Sequence, residues 1–241
     1  MPASPAADPA GSLRAQPLNR AFFERPTLEV ATALLGRVLI RCLAGRVLAG
    51  VIVETEAYVG PDDRASHASR GRTPRTAVMF GPAGHAYVYL VYGMHHCLNV
   101  VTERAGFPAA VLIRALEPLA GLAAPTSGPG RLCRALGIDR ALDGADLTQP
   151  GPLFVSAAPP RTPIEVIAST RVGVAYAGEW AERPWRFSIA GSRYVSRPRP
   201  DPARRARTRV TPDGYHTPTS TPRDRAPAAP RSSPIEPARH G

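Results

Sequence analysis

HAYVYLVYGMHHCLNVVTERAGFPAAVLIRALEP (His85–Pro118) sets the expected fold. Three runs rich in β-branched and aromatic residues, His85 to Tyr92, His96 to Thr102 and Ala109 to Leu116, read as strands. Gly93 marks the first connection and Gly106-Phe107-Pro108 the second, so an antiparallel meander is expected. Tyr87 and Tyr89 share one face of the first strand, and Tyr92 sits at the corner where a side chain projects. Arg114 interrupts the apolar Val111-Leu112-Ile113, and a buried arginine needs a carboxylate or phosphate partner.

The stretch N-terminal to the meander supplies such carboxylates. Val38-Leu39-Ile40 and Val47 to Val53 read as strands around an Ala44-Gly45 turn, the second ending at Tyr58. On a strand Glu54, Glu56 and Tyr58 fall on one face and Val53, Thr55 and Ala57 on the other. Spacing alone favours a solvated face with a glutamate paired to an arginine; general-base chemistry beneath an aromatic platform is the sharper alternative. Either Glu54 or Glu56 suits Arg114. The long polar loop from Val59 to Arg75 carries His67, which can titrate or hydrogen-bond. Asp62-Asp63 with Glu54 or Glu56 could hold Mg²⁺, which keeps a metal-dependent nuclease open beside a non-enzymatic nucleic-acid binder. No P-loop, dinucleotide-binding glycine pattern or GxSxG is present.

Further out, Pro26-Thr27 opens a helix carrying Leu28, Ala31 and Leu35, with Gly36 as its stop. Thr73-Pro74 starts a short helix reaching Phe80, and Arg131 to Leu136 is an amphipathic helix closed by Gly137. Pro152 to Val155, Ile164 to Ile167 and Trp185 to Ile189 read as strands. The pattern implies one α/β domain of the α+β type, residues 19–196, with a curved, mostly antiparallel sheet and short helices around it. Residues 1–18 and 197–241 are rich in Ala, Pro and Arg without apolar periodicity and are expected to be disordered tails.

Net charge is +11, and the basic residues include no lysine, so all 30 are arginine. Arg197 to Gly241 holds ten arginines and four acids, a net +6, leaving +5 for residues 1–196. This balance points to a polyanionic partner, nucleic acid or an anionic membrane surface. Without lysine, no side chain can form a Schiff base. The three cysteines, Cys42, Cys97 and Cys133, lack metal-site spacing. There is no 18-residue apolar run and no basic-then-apolar leader, so a cytoplasmic chain is expected.

The motifs ETEAYxGPxDxAxH (Glu54–His67), TPR (Thr73–Arg75), MF (Met79-Phe80), YVYxxYGMxxCxN (Tyr87–Asn99), RALEP (Arg114–Pro118), SGPGRLCRALGI (Ser127–Ile138) and GVxYAGEWAxxPWRF (Gly173–Phe187) occur in order. At these residues the sequence resembles the alkyladenine (3-methyladenine) DNA glycosylases, the mammalian-type methylpurine glycosylases with bacterial relatives. The resemblance implies a monomeric, nucleoid-associated enzyme that takes double-stranded DNA, flips out a damaged purine and hydrolyses its N-glycosidic bond without a metal or cofactor. It implies that Glu56 activates the water and Arg114 helps hold it. Tyr58, His67 and Tyr89 would sandwich the base, Asn99 would stand at the pocket edge against normal guanine, and Tyr92 would wedge into the minor groove. Between Pro118 and Ser127 the family has a longer segment with a basic helix; LAGLAAPT stands here, implying fewer contacts to the DNA backbone.

Overall fold

The computed structural model describes residues 16–160, 163–200 and 206–210. Residues 1–15, 201–205 and 211–241, which make up most of the two expected tails, lie outside the described residues.

A long strand is the hub of the molecule. After β1 (Val38–Leu43), β2 runs from Arg46 to Tyr58, because its apolar residues continue through VETEAY without a breaker. The first half of β2 pairs with β1 and its second half, Glu54–Glu56, with β8 (Arg186–Ile189). Its other edge pairs along its length with β5 (Ala109–Ala120). The expected meander is present: β3 (Ala86–Val91), β4 (His95–Thr102) and β5 are antiparallel neighbours. With β6 (Leu153–Val155), β7 (Ile164–Ser169) and β9 (Ala206–Val210), all described pairings are antiparallel and make one curled sheet of nine strands.

Few helices accompany it. α1 (Arg20–Phe23) begins at Asn19, whose side chain accepts from the Phe22 N–H at 3.0 Å. α2 (Thr27–Ala33) lays Val30 and Ala31 against β2 and β5, and Gly36 follows it in the left-handed region. α3 (Pro129–Leu136) buries Leu132, Cys133 and Leu136 and ends on left-handed Gly137. The main core gathers α2, α3 and the inner face of the sheet around Leu34, Leu39, Ile52, Leu98, Ile113 and Leu116.

Three expectations need adjustment. The helix expected up to Phe80 is a single 3-10 turn, Ala77–Phe80, preceded by Thr73 and Thr76 hydroxyls that bond each other and nearby backbone. Such local bonding competes with helix propagation. Leu18 is buried and donates its N–H to Val155 at 2.9 Å, so order begins before Asn19. Ala206–Val210 adds a strand to β7 within the stretch expected to lack structure; a sheet edge offers unpaired backbone groups that recruit one.

Candidate active site

The register of β2 against β5 slips between Ile52 and Glu54 and again between Glu54 and Thr55. Val53 and Arg114 fall between the paired positions. Such irregularities bend the strand and re-aim its side chains. Here they bring Glu54, Glu56 and Arg114 together beneath the sheet surface. On the opposite face Thr55 donates its hydroxyl to the Ala31 carbonyl at 2.8 Å, tying β2 to α2.

Glu54 and Glu56 are both 0% exposed, so the solvated face favoured by spacing is not what forms. A buried carboxylate must be satisfied, and each is satisfied differently. Glu54 Oε1 accepts from Arg114 Nε at 2.9 Å, Arg186 Nε at 2.7 Å and Ser196 Oγ at 2.9 Å, and Oε2 accepts from the Ser196 N–H at 2.6 Å. Burial pushes the Glu54 carboxyl up, but Arg114, Arg186 and the Ser196 bonds outweigh it and hold it below the usual carboxylate value. Glu56 Oε1 accepts from the Val172 N–H at 2.8 Å, and Oε2 from the Tyr58 hydroxyl at 2.9 Å. Arg114 Nη1 lies 3.3 Å from Glu56 Oε2, so Arg114 meets both candidate partners at once. Burial works against the Arg114 charge, yet Glu56 and Glu54 outweigh it and raise its pKa.

Above this layer lies a pocket of about 460 Å³. Tyr58, His67, Tyr87, Tyr89, Tyr92 and Asn99 line it, with Arg114 and Val172 beneath. Glu56 is not on its wall; the three groups that bind Glu56 are. The rings of His67 and Tyr89 meet edge to face at 4.5 Å, and a His67 ring nitrogen lies 3.0 Å from the Tyr87 hydroxyl. Burial, then the charges of Arg75 and Arg70, lower the His67 imidazole from 6.5 to about 4, so it is neutral at pH 7. Burial, then the Glu56 charge, push the Tyr58 phenol well above its ordinary value, which keeps it a donor to Glu56. Asn99 is buried and donates its amide to the Tyr87 carbonyl at 3.1 Å.

Tyr92 stands at the rim on the β3–β4 turn. Tyr92 and Gly93 have φ of 51° and 69°, a consecutive left-handed pair that hairpin turns require. Tyr92 is 89% exposed and Met94 71% exposed, so the tip presents two unsupported apolar side chains. The structure thus gathers all seven expected residues, Glu56, Arg114, Tyr58, His67, Tyr89, Asn99 and Tyr92, in one place.

The chain matches the family described as methylpurine-DNA glycosylase over residues 21–193. The chain belongs to the methylpurine-DNA glycosylase family. It is therefore a DNA glycosylase of base-excision repair, and DNA is its substrate. Among its relatives, a protein of Anaeromyxobacter dehalogenans (strain 2CP-1) is 58% identical over 187 residues, covering 77% of this chain and 88% of its own. One from Methanocella arvoryzae is 53% identical, covering 76% and 97%, and one from Myxococcus xanthus 51%, covering 78% and 97%. All three are named provisionally as 3-methyladenine DNA glycosylases.

Several supporting residues escape a reading by sequence. Asp63, weighed there as a metal ligand, is buried in a two-pronged pair with Arg171, at 2.5 Å to Nη1 and 2.9 Å to Nη2. Its oxygens also accept from the Val59 and Ala65 N–H groups, each at 3.1 Å. Arg171 in turn packs on the rings of Tyr58 and Trp185, 4.9 and 5.1 Å from their centroids. With Glu54 and Glu56 also held by arginines, three of the four acids of the nuclease reading have arginine partners instead. Arg186 carried the signal that singled out Arg114, an arginine inside an apolar strand, and the same reasoning applied to Phe187 and Ile189 finds it. Ser196 and Val172 act partly through backbone N–H groups, which carry no residue signature.

Proposed function

We propose that this enzyme takes an extruded modified purine nucleotide into the pocket and hydrolyses its N-glycosidic bond with a water held by Glu56 and Arg114. The observation that carries this reading is the Glu56 carboxylate: fully buried, ion-paired with Arg114, and bonded to the wall residue Tyr58 and the floor residue Val172. A carboxylate has about four acceptor sites, and these three donors leave one for a water. Breaking the glycosidic bond builds positive charge on the sugar, and a buried anion beneath it stabilises that charge while taking the water's proton. A base inside a duplex is out of reach of such a group, so the nucleotide must leave the stack, at a cost of a few kcal/mol that is least at damaged pairs. Tyr58 on one side and His67 with Tyr89 on the other give the extruded base aromatic faces. The buried Asn99 amide offers a fixed polar contact at the pocket edge against guanine. Tyr92 fills the gap left in the duplex, as exposed apolar wedges do.

The test is base release from duplexes carrying hypoxanthine, ethenoadenine or 3-methyladenine. The native chain releases base from at least one of them. Glu56→Gln abolishes release and largely retains binding, since Arg114 keeps its bond to Glu54. A Gln variant releasing base at close to the native rate refutes the assignment.

A further inference from the structure

Beside the base pocket the surface opens into a groove of about 890 Å³. One wall is Ser127–Arg134, which leads into α3 and reaches its last turn, and the other is the segment Arg193–Arg199 that follows β8. Besides Arg114 at its inner end, the groove is lined by Arg131, Arg134, Arg193, Arg197 and Arg199, and among the described residues by no acidic one. All five are exposed. Among the described residues none of the five is engaged in an ion pair. Glu117 acts on Arg193 from outside the lining, but five guanidinium groups against one carboxylate still build a positive potential that concentrates polyanions.

Two further observations give this groove a role. It shares Val91, Tyr92, Cys97, Arg114 and Pro129 with the base pocket, so anything lying along it runs past the hairpin tip. The arm formed by Arg193–Arg199 is also fixed at its centre. Val195 and Ser196 are buried. Ser196 donates both N–H and hydroxyl to Glu54, and its carbonyl accepts from Arg186 Nη2 at 3.1 Å. Arg199 Nη2 donates back to the Arg193 carbonyl at 3.2 Å, closing the arm on itself. The arm is therefore a short, anchored loop that leaves its arginines at the surface. Arg197 and Arg199 also lie beyond the residues matched by the family, 21–193.

We propose that Arg193, Arg197 and Arg199 form a phosphate-binding arm that grips the DNA backbone beside the extruded nucleotide. This rests on the site reading above, because that reading fixes where the nucleotide leaves the duplex. The planar guanidinium fork suits phosphate oxygens, and three of them spaced along one loop can follow a backbone. The anchor has a consequence: the Glu54 carboxylate that holds the arm also holds Arg114, so the grip on DNA and the catalytic pair share one support.

The experiment compares the full-length native chain with two triple variants, Arg193→Ala/Arg197→Ala/Arg199→Ala and the corresponding Arg→Lys set. Binding to an undamaged duplex is measured from about 50 to 200 mM salt, where each lost phosphate contact flattens the slope of log K against log salt by roughly 0.9. The alanine set is expected to flatten the slope by roughly 2 to 3 and to weaken binding on the order of a hundredfold at the low-salt end, the loss shrinking as salt rises. The lysine set keeps most of the slope, because it keeps the charge. An alanine set within twofold of native in affinity, with an unchanged slope, overturns the arm. So does a lysine set that loses as much slope as alanine, which marks the effect as one of folding. Base release by the native chain from hypoxanthine or ethenoadenine duplexes is measured alongside. No release from any modified duplex sinks the site reading, whereas release with an unchanged salt slope sinks the arm alone.

Discussion

Glu54 and Glu56 stand two positions apart on β2 and are equally buried, yet their surroundings assign them different work. Glu54 accepts four bonds, two of them from arginines, the number a carboxylate ordinarily takes. It is a structural anion. Replacing it by Gln leaves Arg114 and Arg186 sharing a neutral partner in a dry site, so Glu54→Gln is expected to cost about 3–5 kcal/mol, read from denaturant unfolding. A loss below about 1 kcal/mol shows that the network is not a stability element. Its pH dependence follows from the direction of the Glu54 shift: the stabilisation is full above the unfolded carboxylate value and fades as pH falls through the lower folded value. His67 acts in the same direction from a different cause. Its folded pKa of about 4 lies below the ordinary 6.5. Between those values the unfolded chain binds a proton that the folded chain refuses, so stability is lost as pH falls from 6.5 towards 4. His67→Gln should narrow the gap in melting temperature between pH 7 and pH 5 relative to the native chain. An imidazole titrating above pH 6 by NMR contradicts this account.

At the scale of elements, the β3–β4 hairpin was the most legible feature of the sequence and β2 the least complete. The hairpin is written in neighbouring residues: period-two tyrosines, then Gly93 to relieve the turn. The carboxylate face of β2 was legible too, but not its burial. Burial depends on Arg186 and Ser196, 132 and 142 positions from Glu54, and one sequence holds no record of such distant pairing. The slipped register that turns Arg114 inward is equally silent, since it arises only when β2 and β5 meet. The hairpin also makes its own prediction. Tyr92 supports nothing in the fold, so Tyr92→Ala should leave thermal stability unchanged. It should weaken damaged-duplex binding by about tenfold, corresponding to the ~1–3 kcal/mol of a base–aromatic stack. A single strand carrying the same modified purine should show a smaller loss, having no gap to fill. Equal losses on both substrates place Tyr92 among the base contacts and remove it from the wedge.

For the molecule as a whole, composition limits how far the reaction can go. All 30 basic residues are arginine, and arginine stays protonated, so no side-chain amine is available to attack the sugar carbon left by base release. Without that attack no imine forms, and without an imine the neighbouring phosphate is not eliminated. The same absence shapes DNA binding, because every phosphate contact made by a basic side chain other than histidine must be a guanidinium fork. The chemistry should therefore stop at an abasic site in an unbroken strand. A duplex carrying a released lesion should run full length on a denaturing gel until hot alkali cuts it. Borohydride added during turnover should trap no covalent complex with the protein. Strand scission without alkali, together with a trapped complex, requires an amine that these side chains do not supply. It would assign the second step to the chain's α-amino group, and acetylating that group would then have to abolish both signals while leaving base release intact.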